Sequence, residues 1–590
     1  MGGMREDSGC TALDSKAMRM RMFILFLSLA TILMVILLRL FDLQIRQHKH
    51  LTADAIRQQQ RQIPLSSRRG SILDRNGKEL AVSLRSYSLF AHPSLVEDVS
   101  RTSAKLSSLL DMSSSEVSKK LQSRKPFVWI KRKIDPDRAK GLAELKLPGV
   151  FSLEENKRYY PKQELASHLL GFVGLDDRGL EGLEYGYDTY LWESPQSPLG
   201  YCDALGRIAF REAEADVSLE SCNLTLTIDE VIQYFAERAL EKGVNSSKAK
   251  AGCIVVMDPQ TGQVLAMADR PTFNPNRFRN YPPTFRRNRA ITDCYEPGST
   301  FKVVMAAGVL EEGIMGPEQR IYCEMGGINL CGLYIRDYKK YGWLTFSQVL
   351  ENSSNVGAIK AGSRLGKERF YDYIRSFGFG ARTGIELPGE AQGILRNPRD
   401  WSSVSLGAIS IGQEISVTPL QLLTAFCAIA NGGNLMHPYV VASIRGPHGE
   451  ILRENAPQVL RRVISPATAS TLTDILTKVV ENGSGKNAAI PGFAVAGKTG
   501  TAQKLEGKTG EYSHHRVVAS FVGFVPAQSP RLAILVTIDE PKVGSWGGTL
   551  AAPVFAEVAK ESLQYLEMRP SAGSASLIAG DKVNEAARAD

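Results

Sequence analysis

An uncharged apolar segment near the start of the chain, Met22 to Leu38, constrains the fold more than any other feature of the sequence. If Arg39 is included, because its long side chain can snorkel to the interface, the segment extends to Phe41 and has about the length of a membrane-spanning helix. A cleaved signal peptide is the alternative, but no A-x-A-like cleavage site follows, and the run continues directly into Asp42. We therefore predict one uncleaved transmembrane helix over residues 22–41, whose orientation is not decided by the basic residues on its two sides.

The composition of the whole chain is that of a globular protein. Its 590 residues, of which 43% are hydrophobic and 23% charged, suit two or more packed domains. The formal net charge is +9, but the basic residues are scattered, which argues against nucleic-acid binding. Eight cysteines are too few for a disulfide scaffold, and none forms a C-x-x-C pair. The eight histidines include no H-E-x-x-H motif, and no G-x-x-x-x-G-K-[ST] phosphate loop occurs, so we expect neither a metal nor a cofactor.

The sequence after the apolar segment divides into two parts. Residues 42–223 are charged, with short strand-like runs, few long amphipathic stretches and a hairpin signal at Asp74 to Gly77, which indicates an extended, non-catalytic module. A boundary near residue 223 precedes a helical pattern over Glu230 to Gly243, which we expect to end at the glycine.

Two pairs of apolar runs organise the second part. The runs at 252–258 and 263–269 predict one hairpin, and those at 517–525 and 531–538 predict another. Because these strands enclose helical segments, we predict a mixed α/β domain over 224–568, followed by a disordered tail over 569–590.

Candidate chemistry begins at Ser299 and Lys302. Pro297-Gly298 ends an irregular segment, and a helical pattern starts at Ser299, which places the two side chains on one helix face. A serine hydroxyl is a poor nucleophile until a base removes its proton, and a neutral lysine amine one turn away can do so. The helix N-terminus adds N–H donors where an oxyanion would form. The spacing alone is weak evidence, because Ser247 and Lys250 repeat it.

Two further signatures strengthen this reading. Ser353-Ser354-Asn355 and Lys498-Thr499-Gly500-Thr501 complete the set used by active-site-serine β-lactam-binding enzymes. Each has a decoy, at 221–223 and at 508–510. The first decoy precedes both S-x-x-K pairs, and the second lies in a polar stretch, whereas Lys498 follows an apolar run. Ser299, Ser353 and Lys498 therefore form the consistent series.

With these residues the chain resembles the class B penicillin-binding proteins, which are monofunctional peptidoglycan transpeptidases. The resemblance covers nearly all of the chain and includes segments at 69–77, 158–161, 179–184, 287–290, 412–419, 547–548 and 551–555. It implies a serine β-lactamase-like transpeptidase domain, with an antiparallel sheet and a helical subdomain, on an extended β-rich pedestal.

The resemblance also implies a catalytic role for individual motif residues. Ser299 would attack the D-Ala-D-Ala carbonyl of a stem peptide, release the terminal D-alanine and pass the acyl group to an amine on a neighbouring stem. Lys302 would be the base, and Ser353 would relay a proton towards the leaving group. The N–H groups of Ser299 and Thr501 would form the oxyanion hole. We expect the pKa of Lys302 to be lowered by burial and by the nearby Lys498 cation.

The remaining motif residues would hold the substrate. Asn355 would bind the substrate backbone, and Lys498 would supply positive charge. The hydroxyls of Thr499 and Thr501, with Gly500 between them, would bind the terminal carboxylate.

The family also implies topology and partners. It predicts a cytoplasmic N-terminus over 1–21, one span over 22–41, and a catalytic domain outside the cytoplasmic membrane, which is the periplasmic side. A SEDS-type glycosyltransferase and other divisome membrane proteins are implied as partners, with the anchor helix either as their contact or as a plain tether. β-Lactams are the expected inhibitors.

The form of the second motif, Ser-Ser-Asn-Val-Gly357, is similar to the division-specific branch, so we expect a septal transpeptidase. The chain ends soon after Met568, without the C-terminal modules of sporulation-type relatives. A D,D-carboxypeptidase or β-lactamase, which uses water as the acceptor, remains an alternative. A β-lactam sensor or divisome scaffold is another, in which the pedestal motifs bind partners rather than only pack. Cys323 and Cys331 would form a small disulfide or remain reduced, buried thiols.

Overall fold

The computed structural model describes residues 10–62, 68–145, 147–192, 199–202, 208–209, 221–506 and 511–570. The predicted tail lies outside these residues, apart from its first two positions. Most of the predicted cytoplasmic segment lies within them.

An isolated apolar helix begins the described chain. Helix α1 spans Cys10–Phe41, and its large apolar side chains are exposed from Met22 onwards. Within the described residues, Lys16–Arg46 is the one helical stretch long and apolar enough to cross a membrane. An apolar surface that is exposed on every side needs lipid or another apolar partner around it. The predicted span 22–41 thus lies inside this helix, which is followed by α2 (His48–Gln59) and β1 (Gln60–Gln62).

The membrane-proximal module is built around one long strand. In chain order its elements are β2 (Ile72–Leu73), β3 (Glu79–Ala91), α3 (Val99–Leu110), α4 (Ser114–Leu121), β4 (Val128–Ile134), α5 (Pro136–Glu144), β5 (Val150–Tyr159), α6 (Ser167–Leu170), β6 (Phe172–Val173), β7 (Gly179–Glu181), α7 (Gly182–Gly186), α8 (Asp188–Leu191), β8 (Leu199–Cys202) and β9 (Ile208–Ala209). Strand β3 pairs antiparallel with both β4 and β5, and α3 and α4 pack Leu106 and Val117 against them. The β-rich module is confirmed, although the sequence reading did not include helices α3 to α5.

The hairpin signal at Asp74 to Gly77 is confirmed. It joins β2 to β3, which pair antiparallel. Asp74 Oδ1 accepts the N–H groups of Asn76 and Lys78 at 2.8 Å each, and Gly77 takes a φ of 79°. The Asp side chain therefore accepts the free N–H groups of the turn, and the glycine allows the positive φ that the turn requires.

A buried charge network holds the three pedestal motifs together. Glu184 is fully buried, and the guanidinium groups of Arg69 and Arg158 donate to its two carboxylate oxygens. The Tyr160 hydroxyl donates to the same carboxylate at 3.1 Å. The charged side chains of these motifs therefore pack against one another inside the module, whereas Leu180 of the third motif is exposed.

One sheet crosses the predicted domain boundary at residue 223. The catalytic part contains, in chain order, β10 (Asn223–Leu226), α9 (Glu230–Ser247), β11 (Ala251–Met257), β12 (Val264–Arg270), α10 (Arg289–Thr292), α11 (Lys302–Glu311), β13 (Arg320–Tyr322), β14 (Gly327–Leu330), β15 (Leu333–Arg336), β16 (Trp343–Thr345), α12 (Phe346–Glu351), α13 (Asn355–Leu365), α14 (Lys367–Ser376), α15 (Ser405–Ser410), α16 (Pro419–Ala430), β17 (Asn434–Met436), β18 (Val441–Arg445), β19 (Ile451–Glu454), β20 (Val459–Arg462), α17 (Pro466–Glu481), β21 (Ala496–Leu505), β22 (Tyr512–Val525), β23 (Leu532–Asp539) and α18 (Gly547–Tyr565). Strand β10 pairs with β2 of the pedestal on one side and with β18 on the other. Backbone hydrogen bonds therefore join the two parts of the molecule.

A five-stranded antiparallel sheet forms the centre of the catalytic part, in the order β12-β11-β23-β22-β21. Both predicted hairpins, β11–β12 and β22–β23, are confirmed. Helices α9 and α18 cover one face of the sheet, and the helical subdomain that contains α11, α13 and α16 packs on the other. Strand β21 lies at the edge of this sheet, where its outer side is open.

The predicted end of α9 at Gly243 is wrong. The helix continues to Ser247 and ends at Lys248, whose φ is 50°. A Cβ on Gly243 would lie 2.8 Å from Val554 Cγ2. The glycine thus allows α9 to approach α18 closely, a use of glycine that the sequence pattern does not distinguish from helix termination.

Candidate active site

Ser299 lies in a tight 3-10 turn, Gly298–Phe301, that leads into α11. Residues i and i+3 of such a turn eclipse, so Ser299 and Lys302 lie on one side of the chain. The N–H of Gly298, whose φ is 57°, donates to Gly412 O at 3.0 Å. A Cβ on Gly412 would lie 2.1 Å from Gly298 O. Two glycines therefore let the chain pack directly behind the candidate nucleophile.

Lys302 is fully buried and donates hydrogen bonds to the second motif. Its Nζ lies 2.7 Å from Ser353 O, 2.7 Å from Asn355 Oδ1 and 3.3 Å from Ser353 Oγ. Burial lowers the pKa of Lys302 to about 7, and the Asp337 carboxylate opposes that change. Within the described residues no hydrogen bond joins this amine to the Ser299 hydroxyl. A neutral amine uses its two N–H groups on the two short bonds, which leaves its lone pair to take a proton.

Ser353 occupies a conformation that few residues other than glycine adopt. Its φ is 59°, at a cost of about 1–2 kcal/mol for an L-residue. The residue follows α12 and precedes α13, whose first turn is capped by the Ser354 hydroxyl at 3.0 Å from Gly357 N. The bonds from Lys302 and the helix cap hold the strained residue in place, so that its hydroxyl points at both buried lysines.

Lys498 is the second buried amine. Its Nζ donates to Ser353 Oγ at 3.0 Å and to Thr499 O at 3.2 Å. Burial and the positive charge of Lys302 lower the pKa of Lys498 well below the usual lysine value. The expected effect of burial on Lys302 is confirmed, but the expected effect of charge falls on Lys498 instead. The two amines share the Ser353 hydroxyl, and a charge on Lys302 disfavours protonation of Lys498.

The third motif lies on the open edge strand β21. Thr499 Oγ1 is 2.8 Å from Ser484 Oγ, and Thr501 Oγ1 accepts the N–H of Gly547 at 3.1 Å. A Cβ on Gly500 would lie 2.4 Å from Ser520 Oγ and 2.9 Å from the Thr300 methyl group. Glycine is therefore required where this strand crosses the turn that carries Ser299.

Asp337 belongs to the site, and the sequence reading missed it. Its carboxylate accepts the Ser354 hydroxyl at 2.6 Å and the N–H groups of Asn355 and Val356. The residue follows β15, far from the motif in a loop whose sequence carries no chemical pattern. Along the chain Asp337 precedes a strand, β16, and it reaches the N-terminus of α13 only through the fold, so no local sequence signal indicates it.

The motifs converge on one cleft of about 550 Å³. The described residues that line it include Ser299, Ser353, Asn355, Thr499, Gly500 and Thr501, with Ser484 beside them. Tyr338 and Trp546 face each other at its rim, with ring centroids 5.0 Å apart. Asp337 is the one carboxylate among the described lining residues. Lys302 and Lys498 lie behind the wall, where water does not reach them.

The decoys do not reach the cleft. Ser247 lies at the end of α9, where its hydroxyl donates to Gly243 O at 2.6 Å, and Lys250 pairs with Glu540. The decoy of the Ser353 motif, 221–223, is also absent from the lining. The decoy of the Lys498 motif, 508–510, lies outside the described residues.

Cys323 and Cys331 are both free thiols in the structure. Cys323 is buried and Cys331 is exposed, so only one of the two thiols is buried. The alternative of a small disulfide at this position is not formed.

Comparison with known protein families yields two matches. Residues 252–560 match the penicillin-binding protein transpeptidase domain, and residues 64–192 match the penicillin-binding protein dimerisation domain. The first match covers more than half of the chain.

Individual proteins are similar over nearly the same extent. Stage V sporulation protein D of Bacillus subtilis is 35% identical over 94% of this chain and 86% of its own length. The peptidoglycan D,D-transpeptidase FtsI of Escherichia coli is 34% identical over 88% of this chain and 86% of its own length. Among solved structures, penicillin-binding protein 3 of Mycobacterium tuberculosis in complex with aztreonam is 28% identical, with a TM-score of 0.67 over 86% of this chain and 98% of that one.

Proposed function

Because this chain belongs to the class B penicillin-binding proteins and is a peptidoglycan D,D-transpeptidase, we propose that Ser299 is its nucleophile, with Lys302 and Ser353 as its proton carriers. One observation carries these assignments. Two buried amines, Lys302 and Lys498, converge on the Ser353 hydroxyl in the cleft that Ser299 lines. Surface lysines near a serine would stay protonated and could not act as bases.

Acylation begins with transfer of the Ser299 proton to the neutral amine of Lys302. The Ser299 oxygen bonds to the penultimate D-Ala carbonyl carbon, and the carbonyl oxygen becomes an oxyanion. When the C–N bond breaks, the leaving amine takes a proton from the Ser353 hydroxyl, which is restored from the adjacent ammonium group. A pKa of about 7 suits Lys302 to both roles, since it accepts and releases a proton near neutral pH.

The oxyanion is held between the 3-10 turn and the edge strand. The N–H of Ser299 is in the first turn of a helix, where it has no intrahelical acceptor. The N–H of Thr501 belongs to β21, and the turn contacts this strand closely: a Cβ on Gly298 would lie 3.2 Å from Thr501 O. The two donors therefore come from segments in direct contact, which fixes their separation.

The substrate is held along β21. An extended stem peptide pairs with the open strand edge, which is a common mode of peptide recognition. Its terminal carboxylate lies near the hydroxyls of Thr499 and Thr501, on the strand that also carries Lys498. Gly500 keeps the strand close to the nucleophile, and the Asn355 amide faces the peptide backbone.

An amine is favoured over water as the acyl acceptor. Hydrolysis of the acyl ester needs a base that activates water, and Asp337 is the one carboxylate among the described lining residues. Both of its oxygens already accept hydrogen bonds, from Ser354 and from the start of α13. An incoming amine needs less activation than water, because it is the stronger nucleophile. This argues against the β-lactamase alternative, which needs a dedicated base for deacylation.

The cellular setting is proposed from the anchor helix and from the relatives. We propose that helix α1 anchors the chain in the cytoplasmic membrane by one span and that the catalytic part lies on the periplasmic side, where peptidoglycan lies. The similarity to FtsI and the Ser353-to-Gly357 sequence support a role at the division septum. A SEDS-type glycosyltransferase would supply the glycan strands, with α1 as the contact surface in the membrane.

The first test is covalent labelling of the detergent-solubilised full chain with a fluorescent penicillin. We expect one stable adduct, mapped by mass spectrometry to the peptide that carries Ser299, and none in Ser299→Ala. Ser247→Ala is the matched control, because it removes the serine of the second S-x-x-K pair and should label as wild type does. Labelling of Ser299→Ala, or failure of the folded wild type to label, contradicts the assignment.

A second measurement separates the acceptors. A thioester analogue of acyl-D-alanine is offered with increasing D-alanine as the amine. We expect the transfer product to replace the hydrolysis product as the amine concentration rises. Hydrolysis that is unaffected by the amine would favour a carboxypeptidase.

A further inference from the structure

Glu296 lies three residues before Ser299, and its carboxyl group is enclosed by other parts of the chain. Its Oε1 accepts the N–H of Glu414 at 3.0 Å and the hydroxyl of Tyr512 at 3.1 Å. Its Oε2 is buried without a hydrogen-bond partner. Within the described residues Glu296 forms no ion pair. Arg396 pairs instead with the side chain of Glu414, the residue whose N–H donates to Glu296. A carboxyl oxygen that is buried without a hydrogen bond costs free energy.

The first bond fixes the nucleophile turn against a neighbouring loop. Tyr295 and Val417 exchange backbone hydrogen bonds at 3.0 and 2.9 Å, and Gly298 N donates to Gly412 O at 3.0 Å. The bond from Glu414 N to Glu296 lies between these two attachments. The segment 295–298 is therefore attached at both ends and in the middle, immediately before the nucleophile.

The second bond connects the same carboxyl group to the edge strand. Tyr512 is the first residue of β22 and pairs with Leu505 at the end of β21. Strand β21 carries Thr501, one of the two proposed oxyanion donors. Glu296 thus joins the segment that carries Ser299 to the hairpin that carries Thr501, through a single oxygen atom.

From this arrangement we propose that Glu296 is a positioning residue for the transpeptidase reaction, and that its carboxyl group sets the separation of Ser299 from the edge strand. The inference rests on the proposed role of Ser299. It assigns no contact between Glu296 and substrate. Because the oxyanion forms only in the transition state, an error in this separation affects the chemical step more than binding.

The test measures acylation of the full chain by a chromogenic β-lactam, with the non-covalent constant K and the rate constant k2 determined separately. For Glu296→Ala we expect k2 to fall by about 30-fold or more, in keeping with the cost of small misplacements, while K changes by less than about threefold. Glu296→Gln keeps an acceptor oxygen, so its k2 should be at least about tenfold higher than that of Glu296→Ala. Tyr512→Phe, which removes one hydroxyl, should lower k2 by a smaller factor.

Glu311→Ala is the matched control. Glu311 also accepts hydrogen bonds from another segment, from Ser465 N and Ser465 Oγ, but lies at the far end of α11 and does not line the cleft. We expect it to lower thermal stability and leave k2 unchanged. Equal losses of k2 in Glu296→Ala and Glu311→Ala, or a change confined to K, would overturn the proposal. A wild type that does not acylate at all would instead overturn the assignment of Ser299.

Discussion

At the scale of single residues, the site depends on a small number of ionisable groups that are buried away from water. Lys302 and Lys498 are both buried, and both are hydrogen-bonded to the Ser353 hydroxyl. Asp337 is the anion that acts on Lys302 from the cleft side. The spacing of the motifs indicates which lysines to consider, but only the structure places the carboxylate that opposes the loss of charge on Lys302.

Asp337→Asn should therefore shift the pH dependence of acylation. The rate rises with pH as Lys302 loses its proton, with a midpoint near its pKa of about 7. The Asp337 carboxylate favours the ammonium form, so its removal lowers this pKa and moves the rising limb to lower pH. The measurement is k2/K for a β-lactam between about pH 5 and 9. A lysine with the free pKa of about 10.4 would be almost entirely protonated at neutral pH and could not act as the base.

Asp474→Asn serves as the control for that profile, because Asp474 is exposed on α17. Its profile should coincide with that of the wild type. A rising limb that stays in place in Asp337→Asn, with only the maximum reduced, would leave Asp337 as a structural cap and no more.

At the scale of elements, the nucleophile turn is held by contacts too close for any side chain. Gly412 has a φ of 79°, and the space where its Cβ would lie is filled by Gly298 O at 2.1 Å. The 3-10 turn, the loop that begins at Gly412 and strand β21 therefore behave as one packed unit. Its geometry depends on backbone atoms as much as on catalytic side chains.

Gly412→Ala should displace this unit. We expect it to lower the free energy of unfolding by about 2–5 kcal/mol, the sum of the conformational cost and of overpacking, and to reduce the acylation rate by about 100-fold or more. Gly432→Ala is the matched substitution, because Gly432 has a φ of 81° and nothing within 4 Å of its Cβ position. It should show the conformational cost of about 1–2 kcal/mol alone, with acylation unaffected. Equal acylation by the two variants would show that the turn tolerates the displacement.

The elements also separate what a sequence can predict from what it cannot. Hairpins β11–β12 and β22–β23 follow from local alternation and turn residues, and the structure has both. The predicted end of α9 is wrong, because Gly243 allows close contact with a helix more than 300 residues later in the chain. Asp337 and Glu296 were missed for the same reason. Their importance arises from partners brought together only by the fold.

At the scale of the whole molecule, the pedestal and the catalytic part share a sheet. Strand β10 pairs with β2 and with β18, so an ordered pedestal contributes directly to the catalytic part. The core of the pedestal in turn depends on Glu184, whose carboxylate pairs with both Arg69 and Arg158, while Arg69 also pairs with Asp188. Loss of that carboxylate leaves two buried guanidinium groups without their shared counter-ion.

Glu184→Ala should destabilise both parts together. Breaking a buried ion pair by removal of one partner costs about 3–5 kcal/mol. We expect a lower temperature both for loss of the circular dichroism signal and for loss of fluorescent-penicillin labelling. Asp176→Asn, which removes a largely exposed partner of Arg132, should change the free energy of unfolding by less than about 1 kcal/mol. Labelling that survives to the wild-type temperature in Glu184→Ala would mean that the shared sheet transmits no stability.

Among the described residues that line the cleft, Asp337 is the one carboxylate, and it already accepts hydrogen bonds. We therefore expect the proposed acyl group on Ser299 to persist until an amine arrives, so that its lifetime depends on the supply of neighbouring strands. A β-lactam exploits this pause, since it delivers an acyl group to a site with little means of discarding it. We expect the drug to be consumed one molecule per protein, so that the dose needed to stop wall synthesis follows the number of copies in the membrane.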